Sequence, residues 1–126
     1  MLRVEATGSF VIEAHGELLY RAFENVVRNA LKFSPTGSEI ELLARIGDAG
    51  STLVTEVRDR GPGVPPDMLQ AIFEPFTRVE GSEAVRGTGL GLAIARRAMV
   101  LHGGTVDAAL REGGGLVVTL SLPRRG

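Results

Sequence analysis

Leu18, Leu19, Ala22, Phe23, Val26, Val27, Ala30 and Leu31 recur every three or four positions. That spacing lays them on one face of a helix over 16–33, and Ser34-Pro35-Thr36-Gly37 carries the turn chemistry that ends it. The period then changes to two. Ile40, Leu42, Ala44 and Ile46 alternate with Glu39, Glu41 and Arg45, and after Gly47-Asp48-Ala49-Gly50 the alternation resumes at Leu53, Thr55 and Val57. This predicts a hairpin of two half-buried strands. Asp59 keeps the parity of Leu53, Thr55 and Val57, so it faces the side that helices should cover, at the strand end. Pro65-Pro66 opens a short helix over 66–72. Residues 77–88 are polar and aperiodic and read as a mobile loop. A helix over 89–102 follows, stopped by Gly103-Gly104. Val106, Ala108 and Leu110 predict one more strand, and Leu116, Val118, Leu120 and Leu122 another, closed by Pro123. The order is helix, two strands, short helix, loop, helix, two strands. It packs most simply as helices on one face of a mainly antiparallel sheet.

Length and composition narrow the function classes. With 126 residues, 44% of them apolar, the chain suits one domain with one core over 1–126. Fourteen basic residues against 15 acidic ones give a net charge of -1. No basic excess points to nucleic acid, and no basic helix points to a membrane surface. The absence of cysteine excludes disulfides and Cys-based zinc sites, and fits a reducing compartment. No apolar run approaches the about 18 residues of a membrane span, and the N-terminus lacks a signal-peptide layout. A soluble segment is expected.

Three groups of residues carry candidate chemistry. At about 100° per residue, Asn25, Asn29 and Lys32 fall in one stripe bordering the apolar face of the first helix. Amides offer donors and acceptors, an amide oxygen suits Mg²⁺, and Lys32 suits phosphate; a solvated helix face is the plain alternative. Asp59 meets Gly61 and Gly63 in Asp59-Arg60-Gly61-Pro62-Gly63. A carboxylate there can accept from an amino group such as that of adenine, and glycines let backbone approach a flat base; a self-capping turn Asp is the alternative. Gly87-Thr88-Gly89-Leu90-Gly91-Leu92 runs into a helix whose first N–H groups attract phosphate, or it is a hinge. It is neither a Walker A loop nor a strand-led dinucleotide fingerprint. Ile72-Phe73-Glu74-Pro75-Phe76 reads as an apolar clasp before the loop, and Arg78 and Arg86 in the loop could reach phosphate on closure. His15 and His102 read as structural or surface residues, and no Ser/His/Asp or metal-ligand cluster is visible.

In this order the motifs resemble the catalytic ATP-binding domain of bacterial sensor histidine kinases, within the GHKL ATPase superfamily. Glu24-Asn25-Val26-Val27-Arg28-Asn29-Ala30-Leu31-Lys32-Phe33-Ser34 resembles the N box, and Asp59 to Pro65 the G1 box. Phe73-Glu74-Pro75-Phe76 resembles the F box, Gly87 to Leu92 the G2 box, and Gly114-Gly115-Leu116 with Leu122-Pro123 the closing strand. The wording of the N and G2 boxes is similar to the Cpx envelope-stress type. The resemblance implies a Bergerat fold: a two-layer α/β sandwich with a mixed, mainly antiparallel sheet and helices on one face. It implies ATP and Mg²⁺ as cofactors, with Asn29 as metal ligand and Asn25 and Lys32 on phosphates. Phe33 would stack near adenine, Asp59 would read its amine, and Gly61 and Gly63 would shape the pocket. Phe73 and Phe76 would belong to the nucleotide site. Gly87, Thr88, Gly89, Leu90, Gly91 and Leu92 would line the phosphate end beneath a lid over 77–88. Lys32 and Arg78 would assist transfer.

The same resemblance implies partners. The phosphoacceptor histidine belongs to a separate dimerisation domain, and nothing here matches it, since His15 is followed by Gly16. The γ-phosphate would go to that domain, in the same parent chain or in trans, and a response regulator would act downstream. The isolated domain is expected to be a monomer in the cytoplasmic portion of a sensor, touching neither membrane nor nucleic acid. Three alternatives share the fold. A GHKL ATPase places a glutamate where Asn25 stands, and an amide cannot act as the base. An anti-sigma-factor-type serine kinase would leave an acid-stable phosphate. A degenerate docking module would have lost its boxes, which are intact here.

Overall fold

The computed structural model describes residues 2–6, 16–47, 51–75 and 91–123. Five strands form one sheet in the order β1-β2-β3-β5-β4: β1 (Leu2–Ala6), β2 (Ile40–Gly47), β3 (Thr52–Arg58), β4 (Thr105–Leu110) and β5 (Leu116–Pro123). The helices are α1 (Gly16–Phe33) and α2 (Gly91–Leu101). β1 pairs β2 in parallel, and the other three pairings are antiparallel. A parallel neighbour requires a crossover, and α1 lies in the connection between the two strands. The sheet is thus mixed and mainly antiparallel, as expected. Strand β1 is an addition that periodicity over its five residues did not reveal.

Register places the alternating apolar residues on one face. Leu42 opposes Val57 and Ala44 opposes Thr55. Thr55 in turn opposes Leu120, and Val57 opposes Val118. In β5, Leu116, Val118, Leu120 and Leu122 are buried and the residues between them half-buried. The helices cover this face with Ala22, Val26 and Ala30 of α1 and Leu92, Ala95, Ala98 and Met99 of α2. The alanines among them, Ala22, Ala30, Ala95 and Ala98, let the helices lie close together and on the sheet. Leu18 and Leu31 belong to the predicted apolar stripe of α1 yet are 40% and 53% exposed. They lie at its margins, beyond the reach of the core.

The predicted stops hold. The last bond of α1 runs from the Ser34 N–H to the Ala30 carbonyl at 3.1 Å, and Pro35 cannot extend the ladder. α2 closes with the Gly104 N–H on the Met99 carbonyl (2.8 Å) and the Gly103 N–H on the Val100 carbonyl (3.0 Å). That is a Schellman ending with Gly103 at φ 73°. His102 is structural: its Nδ1 lies 2.8 Å from the Ala98 carbonyl. The short helix predicted over 66–72 is instead two 3₁₀ turns, Pro66–Met68 and Ala71–Phe73. Pro66 opens the first turn, and so few residues in each favour the tighter i+3 bonding.

Candidate functional site

Asp59 sits one residue beyond β3, and its parity directs it to the helix side, where it is 4% exposed. Its N–H continues the sheet ladder to the Leu116 carbonyl at 3.0 Å. Its carboxylate Oδ1 accepts from the Gly61 N–H at 2.9 Å and from the Leu116 N–H at 3.1 Å. Both bonds land on one oxygen, so among the described residues Oδ2 carries none. Burial pushes the carboxyl above its ordinary value, against the opposing pull of those two N–H groups and the Arg111 guanidinium. A buried carboxylate with one oxygen saturated and one open is prepared to take a donor from a ligand.

Glycine is required around it for lack of space. A Cβ on Gly61 would stand 2.7 Å from the Phe33 carbonyl oxygen. The end of α1 and the glycine loop are therefore in direct backbone contact, which brings Phe33 beside Asp59. Gly63 adopts φ 71° against the Gly115 carbonyl. Ser34, next to Phe33, has a buried hydroxyl with no hydrogen-bond partner among the described residues.

The other end of the site lies along α1. Asn25 and Asn29 are half-buried and Lys32 is exposed, at the border of the core-facing stripe as predicted. Gly91, the first residue of α2, packs against Asn25: a Cβ there would lie 3.6 Å from Asn25 Oδ1. The start of α2, with its unpaired N–H groups, thus stands beside the amide stripe. Beyond Asn25 an open cleft between the helices is lined by Glu17, Tyr20, Arg21, Glu24 and Ile94. Phe73 is 2% exposed and Leu92 8% exposed, both within the core. They support the site from beneath, Phe73 through the turn that packs on α2. Phe76, Arg78, Arg86, Gly87, Thr88, Gly89, Leu90 and His15 lie outside the described residues.

Sequence reasoning missed two contributors. The Leu116 N–H reaches Asp59 from 57 positions away, and Arg111 reaches its carbonyl. The run Gly113-Gly114-Gly115 was the available signal for the first; Arg111 had none.

The donor set can be tested against the groups that such a site implies. Oδ2 of Asp59 and the buried Ser34 hydroxyl offer polar partners beside the backbone contact of Gly61 with Phe33. Among the described residues no three His, Cys, Asp or Glu could hold a metal together. A divalent ion here would depend on an amide oxygen, phosphates and water, which is the habit of Mg²⁺. The residues fit both.

The two-layer sandwich carries the amide stripe on α1 and the buried Asp59 just beyond β3. The family of histidine kinase-, DNA gyrase B- and HSP90-like ATPases matches residues 14–126, and the chain belongs to it. It is 39% identical over 91% of its length to the sensor protein KdpD of Escherichia coli, of which the match covers 13%. Its fold matches the mycobacterial sensor histidine kinase MprB with a TM-score of 0.89 at 29% identity, covering 98% of this chain and 84% of that one. Full-length ShkA in complex with AMPPNP matches with a TM-score of 0.77 at 30% identity, over 97% of this chain and 25% of that one. The chain spans 13%, 19% and 28% of the first curated relatives it matches. It is an ATP-binding domain of the sensor histidine kinase kind; the match carries that class and not the Cpx subtype.

Proposed function

We propose that the domain binds Mg²⁺-ATP and donates the γ-phosphate to a histidine on a separate dimerisation domain, within two-component signalling. The carrying observation is Asp59, buried, held through Oδ1 by two backbone N–H groups and open at Oδ2. Oδ2 accepts from the exocyclic amine of adenine. Guanine presents an oxygen at that position and would face the carboxylate with a second acceptor. The AMPPNP complex of ShkA supports the nucleotide class. Phe33 stacks on the base, Gly61 and Gly63 shape the pocket, and Asn25 and Lys32 contact phosphates. Asn29 supplies the amide oxygen for Mg²⁺, which neutralises phosphate charge when bound. Arg78 and residues 87–90 complete the phosphate end.

Phosphoryl transfer is mainly positioning and charge stabilisation. The β–γ bridging P–O bond breaks, a P–N bond forms to the partner's imidazole, and ADP leaves. Asn25 cannot serve as a base for water, so transfer rather than hydrolysis suits this site. Residues 1–126 act as one monomeric unit in the cytoplasmic part of a longer sensor, upstream of a response regulator. Among the described residues no helix is long and apolar enough to cross a membrane.

Titration of the purified chain with a fluorescent ATP analogue tests the site. Saturable, Mg²⁺-strengthened binding displaced by ADP and not by GTP is expected. Absence of saturation, or equal competition by GTP, would overturn the reading. Incubation of the loaded domain with a histidine-bearing dimerisation domain should yield an acid-labile phosphate; an acid-stable one would indicate a serine kinase instead.

A further inference from the structure

Asp59 and Leu116 are opposed at the end of the β3–β5 ladder, and the Asp59 N–H already donates to the Leu116 carbonyl. In an antiparallel pair of that type the two residues ordinarily exchange both bonds, so the Leu116 N–H should return to the Asp59 carbonyl. It does not. It donates to Asp59 Oδ1 instead. The side chain has taken the bond that belongs to its own backbone, which strands the Asp59 carbonyl.

Arg111 takes the vacated carbonyl. It is the first residue after β4, and its Nη1 donates to the Asp59 carbonyl oxygen at 3.1 Å while its Nη2 donates to the Glu41 carboxylate. Both side chains are largely buried, 12% and 17% exposed. Glu41 belongs to β2, so the guanidinium bridges two strands that are not neighbours of its own. The planar fork serves both acceptors at once, which a single ammonium does poorly. The β4–β5 turn is pressed onto the same spot. A Cβ on Gly115 would stand 2.0 Å from the Asp59 carbonyl oxygen, and Arg60 Nη1 donates to the Glu112 carbonyl at 3.3 Å.

We propose that Arg111, oriented by Glu41, is a positioning residue that sustains this exchange: by occupying the Asp59 carbonyl it keeps the Leu116 N–H on the carboxylate, so that Oδ2 stays aimed into the pocket and selects the purine. Without Arg111 the Asp59 carbonyl would be buried without a partner, a costly state. The Leu116 N–H would relieve it by returning to the regular ladder, releasing Oδ1 and letting the carboxylate turn. The inference about selection rests on the reading of Asp59 as the adenine-reading group; the exchange itself does not.

The test has two independent readouts on this chain. In a pH titration by NMR, the Leu116 amide should follow the Asp59 carboxyl in the parent. In Arg111→Met that amplitude should be lost. Arg111→Met should also shrink the preference for ATP over GTP by at least about tenfold, the value of a charge-assisted contact. Arg111→Lys should restore part of both, and Glu41→Gln should weaken both. Should Arg111→Met fail to fold, Arg111→Lys and Glu41→Gln carry the same comparison. A Leu116 titration undiminished in these variants, or equal losses for ATP and GTP, overturns the proposal. Asp59→Asn separates the two layers. If its purine preference equals the parent's, the adenine reading fails, while the Leu116 amide still decides the exchange.

Discussion

The two ends of the site are built in opposite ways. At the proposed base end, the polar groups of Asp59 are committed to backbone or to Arg111 except Oδ2, and Gly61 and Gly115 leave no room for a methyl group. At the proposed phosphate end, Asn25, Asn29 and Lys32 stand side by side on one helix, and their side chains make no hydrogen bond among the described residues. On the proposed function, the difference follows from what each end would recognise. One amine must be told from one oxygen, which requires an acceptor that cannot move. Phosphate and Mg²⁺ carry enough charge to order flexible side chains themselves.

The largest effect should come from breaking the rigid end. Gly115→Ala places a Cβ 2.0 Å from the Asp59 carbonyl oxygen, at φ 113°. Backbone must shift, and chemical denaturation should show a loss of roughly 3 kcal/mol together with loss of nucleotide binding. An unchanged midpoint would mean that the turn yields easily and the base end is not rigid. The flexible end should respond differently. Asn29→Ala should leave stability within about 0.5 kcal/mol, since the amide is bonded to no described residue. It should abolish the strengthening of ATP binding by Mg²⁺, read by titration with and without the ion. If Mg²⁺ dependence survives, Asn29 is not the ligand.

The smallest effect concerns protons. Burial raises the folded-state pKa of Asp59 above the ordinary 3.8. A raised acid binds its proton more tightly folded than unfolded. Stability is therefore greatest below the ordinary value and declines as pH rises through the window up to the folded value. Denaturation of the nucleotide-free domain across that window should show this decline, and Asp59→Asn should flatten it. A slope identical in parent and variant would assign the decline to other groups.

The phosphate end was legible because it is written in one helix. Asn25, Asn29 and Lys32 fall on a stripe by the period of 3.6 alone, and the same period placed Ala22, Val26 and Ala30 in the core. Strand parity likewise put Asp59 on the helix side. Strand β1 was not legible, because a five-residue parallel strand is recognised through its partner β2 and not through its own pattern. The burial of Phe73 fits its reading as an apolar clasp, and Leu92 joins the same core, because apolar side chains in short turns and at helix starts are claimed by the nearest buried surface.

Sequence by itself determined what depends on neighbours within a few positions: the elements, their buried faces, their ends and the residue types at the site. The tertiary structure alone decided which bond Leu116 gives to Asp59, why Gly115 must lack a side chain, and that Arg111 and Glu41 meet at all. Those contacts join positions 52 to 70 residues apart. No local periodicity records them, since they exist only once the sheet has brought three strand ends to one place.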